Sequence, residues 1–104
     1  MKQIINGKRY DTETATLIGS GGGNAYPGDF HYFSESLYRT RRGAFFLAGE
    51  GGALSHYSRP AYGGGTIGSS GIIPLSAEEA LSWCETHLSL DEYEGIFGDA
   101  IEDA

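Results

Sequence analysis

The clearest hydrophobic pattern in the sequence predicts two consecutive short helices near the C-terminus, at 77–88 and 90–97. Along the first segment, the apolar residues recur at helical spacing and share one narrow face: Ala77, Ala80, Leu81, Cys84 and Leu88. Along the second segment, the same spacing places four residues on one side: Leu90, Tyr93, Ile96 and Phe97. Helices this short are marginal alone, so each is expected to dock its apolar face on the rest of the chain.

Each predicted helix begins with a capping box, in which a serine is followed three residues later by a glutamate. Ser76 pairs in this way with Glu79, and Ser89 pairs with Glu92. The hydroxyl accepts a hydrogen bond from the glutamate backbone N–H, while the carboxylate reaches back to the serine N–H. Gly98 stands where a glycine commonly ends a helix.

Upstream of the helices, the pattern predicts a small antiparallel β-sheet made from hairpins at 2–10 and 30–49, together with an edge strand at 71–75. Asn6 and Gly7 lie between two strand-like runs, which indicates a tight turn with positive φ at both residues. The fold class expected from these elements is α+β.

The second hairpin turns at Thr40-Arg41-Arg42-Gly43. Gly43 suits the left-handed position of a turn followed by a bulge, and the two arginines lie exposed at the tip. We interpret the arginines as a soluble turn in preference to a basic finger that contacts phosphate or an acidic partner.

Three segments give weaker signals. The segment 11–18 is compatible with a helical turn or a strand, and the glycine cluster at 19–23 is expected to be a flexible connector. This cluster lacks the Lys-Ser/Thr pair of a phosphate-binding loop. Residues 53–71 are rich in Gly, Ser and Tyr and are expected to form a long loop.

The predicted organisation has a β-rich part at 1–62, a glycine-rich linker or loop at 63–71 and an acidic helical part at 72–104. The length of 104 residues suggests one domain. The glycine-rich segment leaves open whether the two parts form one compact domain or two subdomains.

Charge is divided very unevenly along the chain. Residues 1–60 hold all seven Lys and Arg together with five acids, whereas residues 61–104 hold the other nine acids and neither Lys nor Arg. The two parts therefore carry +2 and −9, which together give the net charge of −7. A nucleic-acid binder needs the opposite sign, so the acidic half is expected to seek a basic protein surface, such as one meant for nucleic acid.

No residue pattern indicates catalysis, a cofactor or a metal. Cys84 and His87 lie one turn apart, but a structural zinc site takes four ligands, and Cys84 falls on the apolar face. Gly68-Ser69-Ser70-Gly71 does not satisfy the G-x-S-x-G pattern of a hydrolase. The chain is therefore expected not to be an enzyme.

The sequence also favours a protein of the cytoplasm. A single cysteine excludes an internal disulfide. No apolar run is long enough to span a membrane, and the opening MKQIING lacks the apolar region of a signal peptide. We expect a monomer that binds neither a membrane nor nucleic acid directly.

Four segments resemble a widespread family of small proteins carried on phages and conjugative elements. They are NGKRYDTETA at 6–15, LYRTRRGAFFLAGEGG at 37–52, IPLSAEEA at 73–80 and DEYEGIFG at 91–98. In size and charge, the chain is also similar to the anti-CRISPR proteins that inhibit type I systems. This resemblance implies a host cytoplasmic location and a CRISPR–Cas effector complex as partner, and it implies no catalytic residue.

The resulting hypothesis is a stoichiometric inhibitor that imitates DNA and occupies the basic DNA-binding surface of a type I surveillance complex. The alternative is an accessory interaction module of a mobile element with no CRISPR target, in which the acids only increase solubility. The predicted contacts are Glu78, Glu79, Glu85, Asp91, Glu92 and Glu94, with Trp83 or Tyr93 as aromatic anchors.

Overall fold

The computed structural model describes residues 1–23, 26 and 28–104, and their fold is α+β, as predicted. The strands are β1 (Lys2–Ile5), β2 (Lys8–Asp11), β3 (Thr16–Gly22), β4 (Phe33–Arg39), β5 (Phe45–Gly51), β6 (Arg59–Pro60), β7 (Thr66–Ile67) and β8 (Ser69–Leu75). The helices are α1 (Ala77–His87) and α2 (Leu90–Phe97), followed by a 3₁₀ turn at Gly98–Ala100.

The central element is an antiparallel four-stranded sheet with the order β3-β4-β5-β8. β4 and β5 form the predicted hairpin, and Gly43 in its turn has φ of +89°. Strands β1 and β2 form a separate hairpin, whose turn residues Asn6 and Gly7 have φ of +52° and +76°. Both tight turns were therefore predicted correctly, because the left-handed region favours asparagine and glycine.

The sheet buries side chains on both faces, since neighbouring residues of a strand point to opposite sides. On one face, Leu37 and Leu47 pack with Trp83 and Cys84 of α1. We call this side the helix face. On the other side, the hairpin face, Phe46 of β5 packs with Tyr10 of β2 and other apolar side chains.

The two helices begin as the sequence predicts. The Ser76 hydroxyl accepts from the Glu79 N–H at 3.1 Å, and the Ser89 hydroxyl accepts from the Glu92 N–H at 3.2 Å. Both reciprocal bonds to the carboxylates are also present. Gly98 differs from the prediction, because its φ of −52° is helical and the chain continues into a 3₁₀ turn.

The prediction of a flexible connector at 19–23 is wrong for most of that segment. Gly19, Gly21 and Gly22 are part of β3 and pair with β4. Glycine is favoured at two of these positions, because a Cβ at Gly19 would displace the Leu88 side chain after α1 and a Cβ at Gly21 would displace the His87 ring. The preceding segment 11–18, which the sequence left ambiguous, forms a turn and then enters β3 at Thr16.

The predicted loop at 53–71 also contains regular structure. Strands β6 and β7 pair within it, and β8 begins at Ser69, two residues before the predicted edge strand. β8 is hydrogen-bonded to β5 along its length, and α1 follows directly from it. Side chains from both predicted parts, including Leu37 and Cys84, share one apolar cluster.

No helix among the described residues has the length and apolar character needed to cross a membrane.

Candidate functional site: an acidic helical surface beside a buried carboxylate

The six predicted acidic contacts all lie exposed on α1 and α2: Glu78, Glu79, Glu85, Asp91, Glu92 and Glu94. Glu78 and Glu85 are seven residues apart on α1, which places them on the same side of the helix, two turns from each other. We call these six residues the acidic surface.

Two members of the acidic surface also cap the N-termini of the helices. The Glu79 carboxylate accepts from the Ser76 N–H at 2.9 Å, and the Glu92 carboxylate accepts from the Ser89 N–H at 3.0 Å. These backbone bonds, with a contribution from the serine hydroxyls, lower the pKa of both carboxyl groups below its usual value. Both groups therefore stay charged at neutral pH while they cap their helices.

The acidic surface is not neutralised by the chain's own cations. Among the described residues, both ion pairs within 4.0 Å involve a histidine, His31 with Asp29 and His56 with Glu35. No Lys or Arg lies within that distance of the six carboxylates in the described part of the chain. Their charge thus faces solvent.

The two predicted aromatic anchors are placed differently from the acids. Trp83 is 9% exposed, and its indole N–H donates to the Glu35 carboxylate at 2.6 Å. A residue so enclosed is not an exposed anchor, and this part of the prediction is corrected. Tyr93 is half-buried, and its ring packs 5.3 Å from the ring of Phe97.

A surface groove of about 580 Å³ lies beside α1. Glu78 and Glu79 line one part of it, and Thr86 and His87 line another. The groove is shallow and borders part of the acidic surface.

Glu35 occupies an unexpected position, since it is a carboxylate buried on the helix face with an exposed fraction of 5%. Its Oε1 accepts from the Tyr57 hydroxyl at 2.7 Å and is 2.8 Å from His56 Nε2. Its Oε2 accepts from the indole of Trp83. The carboxylate thus joins β4 to the chain before β6 and to helix α1. We call these four residues the Glu35 cluster.

Burial alone raises the pKa of Glu35, but the hydrogen bonds from Trp83, His56 and Tyr57 and the charge of His56 outweigh it. The pKa therefore lies below its usual value, and the carboxylate is ionised at neutral pH. Tyr57 experiences the reverse effect, because burial and its bond to Glu35 raise the pKa of the phenol.

Glycines on both neighbouring strands make room for the Glu35 cluster. Gly21 of β3 and Gly49 of β5 are the two residues paired with Glu35. A Cβ at Gly49 would lie 2.6 Å from the Tyr57 ring, and a Cβ at Gly21 would meet His87. His87 in turn packs against Trp83, with ring centroids 4.5 Å apart.

Glu35, His56 and Tyr57 were not predicted from the sequence to form a group. One signal was present, because Glu35 alternates with Phe33 and Leu37 and so lies on the apolar face of a strand. The donors come from positions 21, 22 and 48 residues away. No local spacing connects residues so far apart, and only the fold brings them together.

In the Glu35 cluster every oxygen of the carboxylate has a donor, so its clearest effect is to fix Trp83 and Tyr57 against the sheet. His56 is the accessible member, with 45% of its side chain exposed. In the described part of the chain, no group of three or more His, Cys, Asp or Glu side chains has the arrangement of a metal site.

In comparisons with known proteins, no family model matches this chain, and no curated protein or solved structure shows significant similarity to it.

Proposed function

We propose that this protein is a non-enzymatic, stoichiometric inhibitor of a type I CRISPR surveillance complex, which uses its acidic surface to occupy the complex's basic DNA-binding surface. The observation that carries the proposal is six exposed carboxylates on two adjoining helices with no Lys or Arg partner among the described residues. Unpaired and hydrated charge of this kind steers a protein toward a surface of opposite sign.

The spacing of the carboxylates supports imitation of DNA. Glu78 and Glu85 are separated by about 10.5 Å along α1, at the usual helical rise of about 1.5 Å per residue. Phosphates on one strand of a duplex follow at about 3.4 Å of axis. The two glutamates therefore span about three phosphate steps, and Glu79 follows Glu78 about 100° around the helix.

Charge reversal on α1 tests the mechanism. The double variant Glu78→Lys/Glu85→Lys is expected to weaken binding to a purified type I surveillance complex at least tenfold and to restore binding of target DNA. Neither side chain caps a helix, so the fold is expected to persist, and circular dichroism checks this. Binding by the unaltered protein is expected to weaken as salt is added, because exposed charges are screened.

The matched control is Glu13→Lys/Glu50→Lys, which changes the net charge equally at exposed acids outside the two helices. This variant is expected to bind within about threefold of the unaltered protein, since rim charges distant from a contact have small effects. Equal losses in both variants would mean that total charge, not the acidic surface, controls binding.

The CRISPR target is tested separately by plaque formation. A CRISPR-sensitive phage is expected to form plaques on CRISPR-armed cells that express this chain. Absence of plaques, with the protein present and folded, would refute the proposal and favour the alternative function.

The alternative is an accessory interaction module without a CRISPR target, and one observation favours it. Tyr62 is fully exposed in the turn between β6 and β7, beside Gly63, Gly64 and Gly65, which all have positive φ. An exposed tyrosine on a glycine-rich turn is a common type of protein contact. In that case Tyr62→Ala would abolish binding to the partner protein of the module, and added salt would change the affinity for that partner little.

A further inference from the structure

We propose that a basic cleft between two hairpin turns binds the phosphate backbone of a nucleic-acid strand. The cleft has a volume of about 590 Å³, and its walls come from the β1–β2 turn with β2 and from the β4–β5 turn. Four of the seven Lys and Arg of the chain line it: Lys8, Arg9, Arg41 and Arg42. This inference goes beyond the proposed function, because it concerns different residues, and either can fail without the other.

The four cations are available to a ligand. All four are exposed, and none lies within 4.0 Å of a carboxylate in the described part of the chain. The acid that lines the cleft, Asp11, accepts from the Glu13 backbone N–H at 2.9 Å. The cleft therefore holds more positive than negative charge.

The chemistry of the cleft suits phosphate better than a single carboxylate. Three of the four cations are arginines, whose planar guanidinium groups bind phosphate oxygens in pairs. The turns also expose backbone, since a Cβ at Gly7 or at Gly43 would meet nothing within 4 Å. A strand of nucleic acid presents several phosphates in succession, which matches cations on two separate turns.

The net charge of −7 had predicted no direct binding to nucleic acid, but it averages two separate regions. All nine acids of residues 61–104 lie outside the lining of the cleft. Exposed charges farther apart than about 10 Å are largely screened at 0.1 M salt. Asp11 and the four cations that line the cleft are therefore the charges that act on a bound ligand at short range.

Fluorescence anisotropy with a labelled 12-nucleotide oligouridine tests the inference on the full chain. The unaltered protein is expected to bind at 50 mM salt, and the logarithm of its affinity is expected to fall with the logarithm of salt with a slope of about −3, as four contacts imply. Arg41→Gln/Arg42→Gln is expected to weaken binding at least tenfold and to halve the slope. Both side chains are exposed in a turn and make no side-chain hydrogen bond among the described residues, so the fold is expected to persist.

The matched control is Lys2→Gln/Arg59→Gln, which removes the same charge from exposed positions outside the cleft lining. This variant is expected to keep the affinity within about twofold. Lack of binding by the unaltered protein at 50 mM salt, or an equal loss in the control, would overturn the inference. Competition by a polyglutamate peptide as strong as that by unlabelled oligouridine would also overturn it, because the cleft would then recognise acidic protein surfaces.

Discussion

The glutamates of this protein occupy two contrasting environments, and the contrast separates a carboxylate bound within the fold from carboxylates that remain in solvent. Glu35 lies 5% exposed beneath α1, with three donors around its carboxylate. Glu78 and Glu85 lie on the outer side of α1, without a Lys or Arg partner in the described part of the chain. The same functional group is therefore buried and hydrogen-bonded at one position and hydrated at two others.

The difference follows from the free energy of removing a carboxylate from water. A buried charge is tolerated only when its oxygens are paired, so Glu35 has its hydrogen bonds satisfied within the fold. An exposed carboxylate keeps its hydration and contributes little to stability, so its charge remains available to another molecule. The contrast can be tested by removing each kind of glutamate in turn.

The largest effect is expected from Glu35→Ala. It leaves the donors of Trp83 and Tyr57 buried without their acceptor and is expected to lower the free energy of unfolding by about 3 kcal/mol, as for a broken buried pair. Urea unfolding measures the loss, and the emission of Trp83, the single tryptophan, reports the change in its surroundings. The matched variant Glu78→Ala is expected to stay within about 0.5 kcal/mol. Similar losses of unfolding free energy in Glu35→Ala and Glu78→Ala would mean that the buried and the exposed glutamate contribute equally to the stability of the fold.

A smaller effect is expected from filling the space beside the Glu35 cluster. In Gly49→Ala, the new methyl group would lie 2.6 Å from the ring of Tyr57 and 2.6 Å from a backbone oxygen of Ser34. Overpacking of this kind is expected to cost about 2 kcal/mol in urea unfolding.

Gly71→Ala provides the control for this substitution. Gly71 pairs with Gly49 across β5 and β8, and a Cβ there meets nothing within 4 Å. The free energy of unfolding of the Gly71→Ala variant is expected to differ from that of the unaltered protein by about 0.5 kcal/mol or less. A neutral Gly49→Ala would show that Tyr57 can move away from Glu35 at little cost.

The smallest effect concerns pH. The pKa of Glu35 is lowered in the folded protein, so its contribution to stability is fully present above the ordinary glutamate pKa of 4.5 and is lost as the pH falls through the folded value.

Glu35→Gln removes this titration. The difference in unfolding free energy between the unaltered protein and Glu35→Gln is therefore expected to narrow as the pH falls from 7 to 3. The caps at Glu79 and Glu92 titrate in the same direction but are present in both proteins, so their contribution cancels. A difference that is constant with pH would mean that folding leaves the pKa of Glu35 unchanged.

Local signals in the sequence were enough to predict the helices and the tight turns. A capping box involves residues three apart, and the Asn6-Gly7 turn involves two neighbours, so the interacting atoms are close in any conformation of the chain. The acids of α1 and α2 are exposed, as is typical of charged residues off the apolar face of a helix.

The glycine-rich segments were predicted less well because composition alone does not distinguish a flexible loop from a strand that lies under other side chains. Gly19 and Gly21 belong to β3, where Leu88 and His87 occupy the space above them. Trp83 was misjudged for a related reason. Its place beside the apolar face of α1 did not reveal that a carboxylate would lie opposite its indole N–H.

The sequence by itself determined where the helices begin, where two hairpins turn and which half of the chain carries the negative charge, because each depends on neighbouring residues or on composition. The tertiary structure decided that Glu35 is buried among His56, Tyr57 and Trp83, and that Lys8 and Arg9 share a cleft with Arg41 and Arg42. Strand order and sheet register bring these distant residues together, and no short-range pattern specifies either.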